Sequence, residues 1–457
     1  MNEKKKLVIL SADAGYGHRI AANAVRQAVE EKYGDSVEVV IINLLNDPKT
    51  PKILKNTQTE YDKVVQLAPE LYHIGYQASD GSISTNIGER ALSVLLFNAV
   101  RKMIKEEQPD AILSTYPLYQ AALVASFEMT GVHIPTLMVI TDLVTVHQLW
   151  YNRWVDYCLV PTEIVAEQAE IAGVSPDAIH LTGIPVNPEM SQKPEDITAL
   201  RESLGWEADR TTFLAVGSKR VKRLMPMLDV LNHYGGNIQL AVVCGNDEEI
   251  YQALKGMDWH IPVHLYQYVE NMAPFYHASD VMVCKAGGLV TTESLACGLP
   301  ILIIEAIPGQ EEGNASYVVD HQAGAFVKTP IEALQTIHHW LMNDGARLLE
   351  LKGNAKALGH PDAAYQAAEL AHEAMHQEKA RQRSYNYFPN ANLVSGVKRV
   401  QEDFKQANVE QKLKILLWKH ENFQAYLRGL ESNLKNQIII SRKIITQKLT
   451  SKNITRE

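Results

Sequence analysis

"LVILSADAGYGHRIAANAV", residues 7–25, decides the fold. The apolar run "LVIL" gives way to a Gly15-Tyr16-Gly17 turn, and the helix-like stretch "RIAANAVRQAVEEKY" follows directly behind His18. An apolar strand that feeds a helix through a glycine turn is how a doubly wound α/β sheet begins.

The same alternation continues outward from this unit. Strand-like runs fall at 37–44, 111–115, 136–141 and 157–161, with helix-like stretches between them. The segment "GIPVNPEMSQKPED" (183–196) is rich in proline and polar residues and reads as a linker. Beyond it the alternation restarts, with runs at 212–217, 238–245, 263–269, 280–285 and 300–305. Strands alternating with helices form parallel sheets covered by helices. The pattern predicts two doubly wound Rossmann-like domains facing a cleft, over 1–190 and 191–380, followed by a separate extension over 381–457. A return helix, "PDAAYQAAELAHEAMHQEKA" (361–380), is expected to close the second domain.

Composition agrees with two domains. The chain has 457 residues, 46% of them hydrophobic, enough for two full cores and too many for a disordered chain. The N-terminus lacks the apolar core of a signal peptide, and no stretch reaches the roughly 18 apolar residues of a membrane span. Four cysteines without CxxC spacing read as reduced, buried thiols, so a cytoplasmic location is expected. The formal net charge is −9, yet residues 381–457 hold 15 Lys+Arg against 6 Asp+Glu.

His18 admits three readings. A dinucleotide fingerprint needs Gly or Ala where Ile20 stands and an acidic residue where Asn43 ends the second strand run, so that reading fails twice. A histidine satisfied at an ordinary helix start is the second. The third is a general base: an imidazole at a tight glycine turn is a poor packing choice and a good proton acceptor near neutral pH.

"CKAGGLVTTESLACGLPILIIEAIPGQEEGNASYVV" (284–319) is the second informative stretch. A strand ends at Lys285, Gly287 and Gly288 let a ligand approach the backbone, and a helix starts near Leu289 with its positive end toward that ligand. Such a turn suits a diphosphate, and Glu293 suits a pair of ribose hydroxyls. Gln310, Glu311, Glu312 and Asn314 crowd the next loop with the donors and acceptors that a sugar requires.

These two stretches, with "TDLVTVHQLWYNRWVDYCLVPTE" (141–163) and "TGIPVNPEM" (182–190), resemble the monogalactosyldiacylglycerol synthase and processive diacylglycerol glucosyltransferase family, relatives of the peptidoglycan N-acetylglucosaminyltransferase. The resemblance covers about residues 5 to 375. It implies the GT-B fold and an inverting transfer of a galactosyl or glucosyl group from a UDP-sugar to a membrane lipid, most simply diacylglycerol, in glycolipid biosynthesis. It implies His18 as the base, Gly287 and Gly288 as the diphosphate turn, Glu293 as the ribose ligand, and Gln310 and Glu311 as donor-sugar ligands. The loop "VGSKRVKR" (216–223) departs from the family's glycine-rich pattern; Gly217 and Ser218 are still placed at phosphate, and Lys219 or Arg220 could neutralise it, or the loop is a solvated basic helix start. Gly17, Asp142 and His147 are placed on the acceptor side, with Asp142 either orienting an imidazole or capping a helix. No Asp-x-Asp occurs, and neither metal nor cofactor is expected, the UDP-sugar being a co-substrate. Transfer of N-acetylhexosamine to a polyprenyl-linked acceptor, and a non-catalytic nucleotide-sugar-binding membrane regulator, are the alternatives.

The apolar stretch 67–97 is expected to receive the lipid. In the extension, Leu413, Leu416, Phe423, Leu427, Leu430, Leu434 and Ile438 form one apolar helix stripe among basic residues. Packing on the enzyme body, contact with an anionic membrane surface and a coiled coil compete for it. The membrane reading places the enzyme peripherally on the inner face of the membrane, since each cation near anionic lipid contributes about 1 kcal/mol. No nucleic-acid partner is expected.

Overall fold

The computed structural model describes residues 4–13, 16–48, 50, 96–217, 221–307 and 311–377. The extension over 381–457, most of the stretch 67–97, and Ser218, Lys219, Arg220 and Gln310 lie outside the described residues.

Two six-stranded sheets carry the fold. The first contains β1 (Lys5–Leu10), β2 (Val37–Ile42), β3 (Ala111–Ser114), β4 (Thr136–Val139), β5 (Tyr157–Val160) and β6 (Ile179–Leu181) in the order β2-β1-β3-β4-β5-β6. The second contains β7 (Thr211–Val216), β8 (Ile238–Val243), β9 (Val263–Tyr266), β10 (Val281–Lys285), β11 (Ile301–Glu305) and β12 (Gly324–Phe326) in the order β12-β11-β10-β7-β8-β9. Every pairing is parallel. The sequence demands this. Leu7 to Leu10 are fully buried, and β3, β4 and β5 are buried at every position, so these strands need helices on both faces.

The helices follow in chain order. The first half has α1 (Tyr16–Tyr33), α2 (Gln120–Thr130) and α3 (Glu163–Ile171). The second has α4 (Ile197–Ser203), α5 (Leu224–Asn232), α6 (Glu248–Lys255), α7 (Ala273–Ala278), α8 (Gly288–Ala296), α9 (Glu312–Asp320) and α10 (Pro330–Leu358). The last described helix is α11 (Ala363–His376). Side-chain caps open several of them: Thr162 accepts from the Val165 N–H, Asp247 from Ile250 and Thr329 from Glu332.

One expectation is corrected here. The return helix does not close the second half; α11 covers the first sheet. Its Ala364, Ala367, Ala368, Ala371 and Ala374 are fully buried in one core with Leu7, Ile9, Val25, Ala28 and Leu113. The reason is steric: alanines repeating every three or four residues let α11 lie close against α1, whose facing residues are Ala22, Ala28 and Val29. The rim is polar. Tyr365 donates to Glu31 at 2.6 Å, Tyr157 donates to Glu373 at 2.9 Å, Lys32 pairs with Glu369, and Tyr33 stacks on His372 at 4.1 Å.

The linker 183–196 is also packed rather than loose. Ile184, Val186 and Met190 belong to the core of the second half, and Asn271 donates to Glu189 at 2.7 Å. The two crossings of the chain between halves meet at Gly183, which takes φ +83° and whose added Cβ would lie 2.3 Å from the Cβ of His360.

Strand order reverses between β1 and β3 in the first sheet and between β7 and β10 in the second. Ligands of doubly wound sheets bind beyond the strand ends at such switch points. His18 follows β1, Gly217 follows β7, and Gly287 and Gly288 follow β10.

Candidate active site

His18 sits in the first turn of α1, half-buried, and is held from three directions. Thr115, the residue after β3, donates its hydroxyl to the His18 carbonyl at 2.9 Å. On the ring, Nδ1 lies 2.8 Å from Thr141 Oγ1. Tyr116 meets the imidazole edge-on at 5.0 Å between centroids, and Trp150 lies tilted at 5.8 Å. Burial among these groups disfavours the imidazolium and lowers the pKa of His18 to about 4, with the Thr115 contact opposing slightly. The ring is neutral at pH 7.

Asp142 does not orient this imidazole, nor does it cap a helix. Its carboxylate accepts the indole N–H of Trp150 at 2.6 Å, and burial pushes its pKa up to about 6 against that hydrogen bond. A buried indole N–H needs an acceptor, and Asp142 is committed to it. His147 likewise serves the backbone: Nδ1 accepts from the Leu149 N–H at 3.1 Å and caps the short 3₁₀ turn Gln148–Trp150 that carries Trp150. Gly17, beside His18, has open space where a side chain would sit.

The second switch point is built differently. The β10–β11 register shifts at Cys284/Lys285, and Gly287 leads into α8, a nine-residue helix whose first N–H groups form its positive end. Glu293, half-buried in α8, accepts from the buried Tyr276 hydroxyl at 2.7 Å. Burial raises its pKa to about 7 while Tyr276 pulls it down. Glu311, expected as a sugar ligand, has a buried carboxylate that pairs with Lys285 and accepts from the Ile307 N–H at 3.0 Å. Those contacts tie the loop after β11 to the end of β10. Asn314 adds to the tie by donating to the Ala286 carbonyl at 3.0 Å. Gly217 donates its N–H to Val243 at 2.9 Å, and an added Cβ would press on Leu224 at 2.7 Å.

The two switch points touch. A Cβ on Gly288 would lie 3.5 Å from the Thr141 carbonyl oxygen, and one on Gly313 would lie 2.2 Å from Thr145 Oγ1. Leu143, between those threonines, is buried in the core of the second half. The loop after β4 therefore carries the partner of His18 and borders the start of α8. Thr141, Trp150, Tyr276 and Gly313 escape the sequence reading; only Gly313, a glycine at a helix start, leaves a trace there.

Comparison with known proteins follows the same division. A family model described as monogalactosyldiacylglycerol synthase matches residues 18–186, and one described as glycosyltransferase family 28 C-terminal domain matches residues 211–367. A Glycine max protein named "Probable monogalactosyldiacylglycerol synthase, chloroplastic" is 30% identical over 393 residues, covering 83% of this chain and 72% of its own. Monogalactosyldiacylglycerol synthase 3 of Arabidopsis thaliana is 29% identical over 385 residues, covering 82% of each chain. The crystal structure of Acinetobacter baumannii MurG shares the fold, with a TM-score of 0.52 at 16% identity, over 80% of this chain and 99% of that one.

Paired doubly wound sheets, with a half-buried imidazole at one switch point and a glycine-led helix at the other, define a GT-B glycosyltransferase. Within that class, the chain belongs to the monogalactosyldiacylglycerol synthase family.

Proposed function

We propose that the chain moves a hexosyl group, galactosyl or glucosyl, from a UDP-sugar to the free hydroxyl of diacylglycerol, inverting the anomeric centre in one displacement. The observation that carries this reading is the neutral imidazole of His18, its Nδ1 held by Thr141, with the Thr141 carbonyl bordering the first residue of α8. The names of the relatives support the sugar and the lipid.

The chemistry divides between the halves. The diphosphate rests on the positive end of α8 and the amides at Gly287 and Gly288, with Gly217 alongside, so the charge that develops on the leaving group meets fixed dipoles. Glu293 accepts from the ribose hydroxyls. The lipid hydroxyl, un-ionised at pH 7, gives its proton to His18 Nε2 as its oxygen bonds to the anomeric carbon and UDP leaves. A pKa near 4 makes a weak base of the free ring, and a diphosphate bound nearby raises it by favouring the imidazolium. No metal is assigned in this reading. Among the described residues no helix is long and apolar enough to cross a membrane, so contact with the bilayer is proposed as peripheral.

The test is incubation with UDP-galactose, UDP-glucose and UDP-N-acetylglucosamine against diacylglycerol micelles and a polyprenyl-phosphate acceptor, with mass analysis of the lipids. A hexosyl-diacylglycerol is expected. His18→Ala is expected to cut its formation roughly 10²-fold or more while UDP affinity holds. Product on the polyprenyl acceptor alone, or UDP binding with no lipid product, overturns the reading.

A further inference from the structure

The imidazole of His18 has two nitrogens, and only one can present a lone pair to a substrate hydroxyl. Which one depends on where the ring proton sits, and that depends on what each nitrogen meets. Nδ1 lies 2.8 Å from Thr141 Oγ1, and among the described residues Nε2 has no hydrogen-bond partner. Asp142, the carboxylate next in the chain, is committed to the Trp150 indole at 2.6 Å. The ring is therefore oriented by a neutral hydroxyl and not by a charge. This difference has chemical content. A carboxylate against Nδ1 would favour the imidazolium; a hydroxyl, able to accept from Nδ1–H or to donate to a bare Nδ1, leaves the ring neutral. The same threonine has its carbonyl oxygen against α8, 3.5 Å from the position of a Cβ on Gly288.

We propose that Thr141 is the positioning residue of His18: its hydroxyl accepts from Nδ1–H, which leaves Nε2 as the proton acceptor, and its carbonyl seats this arrangement against the start of α8. The proposal rests on His18 acting as the base in glycosyl transfer. In this proposal Thr141 acts directly on neither the lipid nor the donor sugar. Its effect reaches the reaction through the imidazole, in the step where the proton passes from the acceptor hydroxyl to Nε2.

Two measurements on the full chain test this and separate it from the reading beneath it. The first is ¹⁵N NMR of histidine-labelled protein, with the His18 signals assigned by their loss in His18→Gln. Wild type is expected to show Nδ1 protonated and Nε2 unprotonated at pH 7. Thr141→Val is expected to show a mixture of tautomers, and Thr141→Ser the wild-type pattern. The second is kinetics with UDP-sugar and diacylglycerol: Thr141→Val is expected to lower kcat about 10-fold to 100-fold with the donor KM within twofold, and Thr141→Ser to recover most of the rate. A wild-type spectrum with Nε2 protonated overturns the proposal, as does a Thr141→Val variant that keeps the wild-type kcat. Because the spectrum is read without turnover, an Nδ1–H tautomer in a protein that transfers no sugar supports the placement of the proton and sinks the glycosyl-transfer reading instead.

Discussion

At the scale of single residues, the shifted titrations of Glu293 and His18 each leave a measurable trace. Glu293 loses its proton only at about pH 7, because burial penalises the carboxylate. If its charge is needed to accept from ribose, kcat/KM for the UDP-sugar should fall as pH drops through 7, and Glu293→Gln should be slower at pH 8 but lack that limb. A Gln variant with an unchanged limb would remove Glu293 from the donor site. His18 bears on stability instead. The unfolded imidazole takes a proton near 6.5, whereas the folded one resists protonation until about 4, so the unfolded state binds more protons in that window. The contribution of His18 to stability should fall as pH drops from 6.5 toward 4, so His18→Gln should gain on the wild type across that window; equal slopes of Tm against pH in both proteins would contradict it. His18 was legible in the sequence because a glycine turn frames it. Thr141 was not, because nothing in "VITDLV" distinguishes the residue that meets an imidazole from the neighbour that meets an indole.

At the scale of elements, strands buried on both faces were the readable part: the apolar runs at 7–11, 136–141 and 280–285 coincide with β1, β4 and β10. The runs missed were β6 and β12, three-residue edge strands with no fully buried position to mark them. Helix α11 was found but assigned to the wrong sheet, since alanine periodicity shows that one face is buried and not what it is buried against. The contact between the loop after β4 and the start of α9 is invisible in sequence and strict in space. Gly313→Ala would place a Cβ 2.2 Å from Thr145 Oγ1, so one of them must move. That variant should lose about 1–3 kcal/mol of stability, as overpacked sites do, and lose turnover as Thr141 shifts with its loop. Adding Thr145→Ala removes the clashing oxygen and should restore both. Failure of the double variant to recover would place the cost elsewhere.

For the molecule as a whole, the halves are sequential in sheet and crossed in covering: the last described helix of the chain protects the first sheet. A chain cut after residue 358 keeps every strand of both sheets, yet it strips the apolar surface around Leu7, Ile9 and Leu113 of its alanine cover. It should aggregate or melt well below the same chain cut after residue 377, and equal melting of the two would mean that α11 adds nothing to the first core. The same arrangement sets an order of events during synthesis. The first sheet has all its strands once residue 181 is made, but the helix that covers it ends at His376. At roughly 5–20 residues per second, the nascent first half waits on the order of 10–40 s with one side open to whatever else is in the cell.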